Sequence, residues 1–169
     1  MQLDFSEIRN ADQFENLVAA YFEDIRNTGK VNPQISDVRV SSPGKGADGG
    51  KDILVTFTIN DTIATYCKKW VVQCKFYNRA VNPSDLKDDN IPTLIHSYGA
   101  NGYLLVCREN ASQKLAELFG RLEEACVFSY KYQVWNGDKF RGRIVENSTS
   151  LVQTYFPKYY SFIHQPFKK

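Results

Sequence analysis

The sequence has few of the residues that build the commonest metal and disulfide sites. It contains two histidines and four cysteines among 169 residues. No two cysteines have the CxxC spacing of a zinc site or a redox motif, so neither is predicted. Most of the cysteines lie in apolar segments, which predicts buried free thiols in a reducing compartment: Cys67, Cys74, Cys107 and Cys126.

Long apolar runs and a strong net charge are also missing. No stretch is long enough to span a bilayer, and the opening segment MQLDFSEIRN lacks the cationic start and apolar run of a signal peptide. We therefore predict a soluble cytoplasmic protein with no membrane partner. The net charge of +2 permits a nucleic-acid partner without requiring one, because local clustering of charge decides such binding.

The residues that are present are those of a globular domain. The chain is 43% hydrophobic and 14% aromatic, and its length suits one domain with a full core. We predict that this domain covers residues 1–157. Residues 158–169 form an aromatic and basic tail, which we predict leads into a further domain, such as a sensor, in a longer natural protein.

Hydrophobic spacing predicts an α/β fold with a mixed central sheet flanked by helices on both faces. Asn10 and Gln13 indicate the start of a first helix, which ends near Arg26. Residues 60–69 are predicted as a turn or wide loop and 131–143 as a polar hairpin. The other predicted strands are 35–42, 52–59, 70–76, 102–107 and 130–135. The other predicted helices are 82–99, 111–125 and 149–156, and Pro92 is expected to interrupt the helix over 82–99.

The segment SPGKGADGGKDILVTF, residues 42–57, has the glycines and lysines of a phosphate-binding loop but not its pattern. A Walker-type loop needs a glycine where Lys45 stands and a serine or threonine where Asp52 stands. A carboxylate at that place would repel a bound triphosphate. It would attract phosphate through a divalent cation, because Mg²⁺ takes both carboxylate and phosphate oxygens as ligands. The loop therefore predicts metal-dependent phosphate chemistry.

The segment VVQCKF, residues 71–76, adds two polar side chains to this site. Alternate side chains of a strand share a face, so Gln73 and Lys75 point together, away from the core side chains between them. A hairpin with a loop of about ten residues would set Asp52 opposite Lys75, and we predict that register.

Together these segments resemble the Mrr-like branch of the PD-(D/E)xK restriction-endonuclease superfamily. Members of that branch carry a glycine-rich loop with two aspartates, followed by Q-x-K on the next long strand, as in GADGGKDILV and VVQCKF here. The likeness continues through GYLLVC, the helix after it and YQVWNGDKF, so it covers most of residues 10–157. It implies a restriction-endonuclease-like fold.

The resemblance also implies an activity, hydrolysis of phosphodiester bonds in DNA by a Mg²⁺-dependent endonuclease, with Mn²⁺ able to substitute. It assigns catalytic roles to Asp52, Gln73, Lys75 and the helix carboxylate Glu15. Gln73 replaces the acidic residue of most of the superfamily, and Glu15 would restore the missing carboxylate. The implied metal ligands are Asp52, Glu15, Gln73 and the backbone carbonyl of Cys74.

DNA is the partner that the resemblance implies. Such families commonly act in defence against foreign DNA, and cleavage of both strands implies a homodimer or a higher oligomer. Asp48 matches the extra loop aspartate and would support the loop. Six basic residues are predicted to contact DNA phosphates: Lys45, Lys51, Arg79, Lys139, Arg141 and Arg143.

Two alternatives stay open at this point. Because Gln73 is a weaker metal ligand than a carboxylate, the chain could be a nucleic-acid-binding or docking module that kept the fold and lost catalysis. The same site could also cut RNA or a four-way junction, since either substrate presents the same phosphodiester.

Overall fold

The computed structural model describes residues 1–45, 51–125 and 127–165. Asp48, Cys126 and the side chains of Lys45 and Lys51 lie outside the described residues. The described part of the chain forms five strands, β1 (Ile35–Lys45), β2 (Lys51–Asn60), β3 (Thr65–Lys75), β4 (Gly102–Cys107) and β5 (Lys131–Trp135), and six helices, α1 (Ala11–Asn27), α2 (Ile91–Ser97), α3 (Gln113–Ala125), α4 (Gly137–Asn147), α5 (Thr149–Tyr155) and α6 (Pro157–Ile163). Short 3₁₀ turns lie at Phe5–Glu7 and Pro83–Leu86.

The strands form one mixed sheet in the order β1-β2-β3-β4-β5. The first three strands are antiparallel, and β4 and β5 run parallel to β3. Ile53 pairs with Val72, which brings Asp52 beside Gln73. The predicted register, with Asp52 opposite Lys75, is therefore wrong by two residues.

The register differs because the loop between β2 and β3 is much shorter than the predicted wide loop. Asn60 pairs with Thr65, so only four residues make the turn. The Asp61 carboxylate accepts hydrogen bonds from the backbone N–H groups of Ile63 and Ala64, at 3.0 and 2.9 Å. The strand ends at this turn are exposed and mostly polar, so no hydrophobic alternation marks them as strand.

One face of the sheet is covered by α1 together with α4 and α5. Asn10 caps α1 by accepting from the Gln13 N–H at 2.8 Å, as predicted. The α1 stripe packs on the sheet residues Val55, Val72 and Val106. The other buried members of this core include Phe5, Phe14, Leu17, Val18, Tyr21, Phe22, Ile53, Leu104, Phe140, Ile144, Val152 and Phe156.

The opposite face of the sheet is covered by α2 and α3. Here the core consists of inward side chains of β3 and β4 packed against Ile95 of α2 and Leu115 of α3. Val71, Tyr103, Leu105 and Cys107 are the fully buried sheet residues on this side. The predicted α/β architecture, a mixed sheet with helices on both faces, is confirmed.

The segment after β5 is helical, so the polar hairpin predicted for residues 131–143 is wrong. The Asn136 side chain accepts from the Lys139 N–H at 2.9 Å and starts α4. Phe140 and Ile144, four residues apart, are fully buried beneath it. A cap followed by this spacing is a helix signal, and the charged residues between the two apolar positions obscured it.

The segment 82–99 is divided into two elements, as Pro92 requires. A 3₁₀ turn over Pro83–Leu86 comes first, and α2 then begins at Ile91, with Pro92 in its first turn. Proline is accepted there because the first N–H groups of a helix have no intrahelical partner. The interruption places Asp88 and Asp89 in the connection between the two elements.

The predicted tail begins as a helix packed on the domain. Helix α6 crosses the predicted boundary at residue 157. The Glu7 carboxylate accepts from the N–H groups of Lys158 and Tyr159, at 2.8 and 3.2 Å. Tyr159 and Tyr160 pack against the α1-side core. Residues 158–163 are therefore part of the same folded body.

Two further expectations concern the thiols and the membrane. Cys107 is buried and Cys74 half-buried, as expected, but Cys67 is exposed in the projecting hairpin, so the expectation of burial is wrong for it. All three are free thiols. Across the described residues, no helix combines the length and the apolar character that crossing a bilayer requires.

Candidate active site

Asp52 lies at the start of β2 and is only 3% exposed. Both of its carboxylate oxygens accept hydrogen bonds. Gln73 Nε2 donates to Oδ1 at 2.9 Å, and the Tyr98 hydroxyl donates to Oδ2 at 3.0 Å. Burial of Tyr98, and then its bond to Asp52, raise the pKa of this phenol, so it stays a donor to the carboxylate at neutral pH.

The Gln73 side chain is held in one orientation by Tyr103. The Tyr103 hydroxyl, fully buried, donates to Gln73 Oε1 at 2.6 Å. An ionised carboxylate only accepts hydrogen bonds, so the amide must turn its nitrogen to Asp52 and its oxygen to Tyr103. In this series of hydrogen bonds, the Gln73 amide oxygen accepts from Tyr103 and therefore points away from the Asp52 carboxylate.

Lys75 shares a face of β3 with Gln73 and ends in a buried ion pair. Its Nζ lies 3.3 Å from Asp89 Oδ2, and the two side chains are 5% and 4% exposed. Because a charge removed from water needs a partner, Asp89 stabilises the charged form of the lysine.

A cavity of about 230 Å³ opens beside these groups. Asp52 and Gln73 form part of its wall, and Asp88 and Asp89 form another part. The side chains of α2 complete it: Thr93, Leu94 and Ser97. The cavity thus lies between α2 and the sheet, where β2 starts and β3 ends, and is lined by three carboxylates.

Glu15 is buried as well, at 5% exposure, but it belongs to α1 and the other face of the sheet. Its charge acts on Cys74, whose side chain packs toward the α1-side core. Burial of the Cys74 thiol, and next the Glu15 carboxylate, raise its pKa well above the usual range. The structure brings Asp52 and Gln73 into direct contact, and Glu15 lies on α1, the helix that covers the opposite face of the sheet.

The predicted DNA-contacting residues are spread over both faces. Arg79 donates twice to the Asp85 carboxylate, at 2.8 and 2.7 Å. Arg141 pairs with Asp138. Lys139 and Arg143 line a different cavity on the α1 side of the sheet. The structure does not gather these four residues into one strip beside Asp52.

Three site residues were missed from sequence: Asp89, Tyr98 and Tyr103. Tyr103 lies within a buried apolar strand, where a tyrosine is ordinary core. Tyr98 ends α2, and Asp89 lies in a connection. The paired aspartates before a helix were the available signal, but nothing in their spacing indicates a contact with Lys75.

Comparison of sequences gives the family of a chain with this fold. A family model described as restriction endonuclease, of the Mrr catalytic type, matches residues 9–141. The chain belongs to this family. No curated protein matches the sequence significantly.

Solved structures with the same fold are restriction endonucleases. One is described as the DNA modification-dependent restriction endonuclease AspBHI, with a TM-score of 0.52 and 15% identity over 96% of this chain. Another is MspJI restriction endonuclease in complex with a 27-mer oligonucleotide, with a TM-score of 0.50 and 14% identity over 90% of this chain. The chain spans 43% and 33% of these proteins.

Proposed function

We propose that this chain is the cleaving domain of a Mg²⁺-dependent DNA endonuclease, with Asp52 and Lys75 at its centre. The observation that carries the proposal is the buried contact between Gln73 Nε2 and Asp52 Oδ1, where β2 starts and β3 ends. Lys75 extends from the same face of β3, in an ion pair with Asp89 of the cavity wall. Family membership over residues 9–141 supports the same activity.

The donor set of the cavity fits a hydrated magnesium ion. The ionisable groups that line it are carboxylates, Asp52, Asp88 and Asp89, and oxygen is the ligand that Mg²⁺ takes. Within the described ranges, no three acidic, histidine or cysteine side chains form a ready cluster. This suits an ion that keeps several waters and is bound through one or two carboxylates plus substrate phosphate.

Asp52 would hold the ion, with the Cys74 carbonyl as a further predicted ligand. Glu15, on the α1 side of the sheet, does not line this cavity and would act on the ion only through a bound water molecule. When bound, magnesium offsets charge on the phosphate and acidifies a water molecule. Gln73 is better suited to positioning than to coordination, because its oxygen accepts from Tyr103. It fixes the Asp52 carboxylate by donating to one oxygen while Tyr98 donates to the other.

Lys75 would contact the scissile phosphate or the attacking water. An ammonium group offers three donors and a compact positive charge, which suits an anionic transition state. In the absence of DNA that charge is paired with Asp89. A phosphate entering the site would therefore share or replace this partner.

DNA is the proposed substrate, and defence against foreign DNA the proposed role, in a cytoplasmic protein that acts as a homodimer or higher oligomer. One structural neighbour is described as a complex with an oligonucleotide. The other is described as a DNA modification-dependent restriction endonuclease. Both neighbours are more than twice as long as this chain, which supports a longer natural protein with a separate recognition part.

The test is cleavage of plasmid DNA by the purified protein in Mg²⁺ and in excess chelator. We expect cleavage in Mg²⁺ or Mn²⁺ only, and a loss of about 10²–10³-fold or more in Asp52→Asn and Lys75→Arg. Arginine keeps a charge beside Asp89 but changes its shape, whereas Lys75→Ala would leave a buried carboxylate without its lysine.

Asp37→Asn is the matched control, because Asp37 pairs with an exposed arginine on β1. It should cut like the wild type. Cleavage that persists in either active-site variant, with a folded protein, would overturn the assignment. DNA binding in chelator without nicking in Mg²⁺ would favour a catalytically inactive binding module, and preferred cutting of RNA or junctions would replace the substrate.

A further inference from the structure

A second cavity, of about 370 Å³, lies on the α1 side of the sheet. Its sheet wall comes from inward side chains of that face, such as Val55, Phe57 and Trp70. Asp52 and Gln73 point to the opposite face, toward α2. This cavity is therefore separate from the proposed active site and has no part in the chemistry described above.

The charge around this cavity is of one sign. Lys30, Lys139 and Arg143 line it, and the described lining residues include no aspartate or glutamate. None of these three cations is in an ion pair among the described residues. The guanidinium of Arg143 lies 4.2 Å from the ring centre of Trp135, and its buried Nε has no hydrogen-bond partner. Lys30 and Lys139 are exposed to solvent, so the buried, unused Nε donor of Arg143 is the group that points to an anion at this cavity.

The floor of the cavity is apolar and aromatic. Trp70 packs against Gly102, where an added Cβ would approach two atoms of its ring to 2.8 and 2.9 Å. Phe57 and Trp70 are half-buried and line the open space. Such a wall favours a planar ring, which can stack without losing hydrogen bonds.

Amide side chains complete the rim. Asn32, Gln133 and Asn147 line the cavity. Each has an amide donor, and the oxygens of Gln133 and Asn147 are acceptors, whereas Asn32 Oδ1 already accepts from the Gln34 N–H at 2.9 Å. An aromatic wall and amides able to bond the edge of a ring match the base of a nucleotide, and the cations beside them match its phosphate. The cavity volume lies in the range of small-molecule sites.

We propose that this cavity binds a nucleoside monophosphate unit. The base lies against Trp70, the amides contact its edge, and Lys139 and Arg143 bind the phosphate. The unit can be a free mononucleotide or the phosphorylated end of a single strand, since both present the same chemistry.

Intrinsic fluorescence tests the proposal directly. The chain has two tryptophans, and both Trp70 and Trp135 line this cavity. We expect saturable quenching by AMP, GMP, CMP or UMP, or by 5′-phosphorylated dinucleotides, and at least about tenfold weaker binding of the matching uncharged nucleoside. Comparison of the mononucleotide with the dinucleotide distinguishes the two sources.

Matched variants show whether the quenching arises in the cavity. Lys139→Gln should weaken AMP binding about three- to tenfold, because it removes one charge-assisted contact. Lys114→Gln, the same change at an exposed position on α3, should bind as the wild type. Asp52→Asn should also bind normally, which separates this site from the proposed cleavage.

The proposal is overturned by absence of quenching with every nucleotide and dinucleotide. Equal binding of adenosine and AMP, or equal weakening by the changes at Lys139 and Lys114, would also overturn it. A second readout is thermal stability, which should rise with AMP in the wild type and less in Lys139→Gln.

Discussion

Gln73 lies 2.9 Å from the Asp52 carboxylate, at a depth where two carboxylates would repel each other. A neutral amide is the side chain of this size that can donate to Asp52 and still accept from Tyr103. The contact between Asp52 and Gln73 is thereby satisfied by hydrogen bonds within the protein, without the need for a bound cation. A carboxylate in place of Gln73 would make the stability of the folded protein depend on a bound cation.

The variant Gln73→Glu tests this dependence. Two facing carboxylates raise each other's pKa, so the variant should lose about 2 kcal/mol at neutral pH, or about 4–8 °C in Tm. Since the raised folded-state pKa makes ionisation unfavourable, the deficit should shrink as pH falls through that raised pKa toward the ordinary carboxyl value, and it should be absent below about 4. Thermal melts with chelator and with Mg²⁺ measure it, and Mg²⁺ should recover much of the loss.

Gln153→Glu on the exposed side of α5 makes the same chemical change away from any carboxylate pair. Its Tm should respond little to Mg²⁺. If both variants gain equally from Mg²⁺, the ion does not bind beside Asp52.

At the residue scale, the period of two along a strand was enough to predict that Gln73 and Lys75 share a face. The partners of these side chains could not be predicted. Tyr98 and Tyr103 meet Asp52 and Gln73 across 46 and 30 residues of sequence. Those contacts depend on how β4 and α2 pack beside β3, which no local pattern encodes.

The start of α4 is set by a close approach between elements. A Cβ added at Gly137 would overlap the carbonyl oxygen of Arg108, which follows β4. The Gly137 N–H donates to the carbonyl of Glu109 at 2.8 Å, so the backbone cannot move away freely. At Gly142, in the same helix, an added Cβ has nothing within 4 Å.

Alanine at these two glycines should therefore have opposite effects. Gly137→Ala should destabilise the protein by about 2–4 kcal/mol through overpacking against backbone. Gly142→Ala should stabilise it by up to about 1 kcal/mol, because alanine is the better helix former. Urea unfolding of the two variants measures both. Similar changes for the two would show that α4 does not contact the end of β4 as described.

The 3₁₀ turn before α2 is tied down by Asp85. Its carboxylate accepts two hydrogen bonds from Arg79 and one, at 2.8 Å, from the Asn82 N–H. The Arg79 bonds, and then the Asn82 bond, lower the pKa of Asp85 to about 2. This turn precedes Asp88 and Asp89, so it helps to position the acidic wall of the active-site cavity.

A lowered carboxyl pKa gives a definite pH dependence. The stabilisation is present above the ordinary value of 3.8 and is lost as pH falls toward 2. The Tm of Asp85→Asn should lie below that of the wild type by a constant amount above about pH 5, and the gap should close in acid. Glu124→Gln on the exposed face of α3 is the control. A gap that does not change with pH would contradict the described role of Asp85.

At the element scale, prediction succeeded where hydrophobic period and caps agreed. The run GYLLVC became a fully buried central strand, and Asn10 capped α1. It failed where an element lies outside the core or is strongly charged. The outer half of β3 is stabilised by pairing alone, and α4 shows only two fully buried apolar residues among many charged ones.

At the scale of the whole molecule, the two proposed sites lie apart. The proposed cleavage site lies between the sheet and α2, whereas the cationic aromatic cavity lies between the sheet and the helices of the α1 side. The fold class could be predicted from the order of elements. The second cavity could not, because its lining comes from seven separate segments that only the folded chain brings together.

The number of strands that one domain can cut gives the last prediction. We propose that one Asp52–Lys75 site hydrolyses one strand, so a double-strand break would need two domains on the same DNA. Dilute protein should therefore nick plasmid, and more concentrated protein should linearise it, with the rate of linearisation rising as about the square of protein concentration. Mixing wild type with excess Asp52→Asn should convert linear product to nicked product, because mixed pairs carry one active site, whereas mixing with Asp37→Asn should leave the products unchanged. A ratio of linear to nicked DNA that responds neither to dilution nor to the inactive variant would show that the domain cuts both strands alone, against the proposed oligomer.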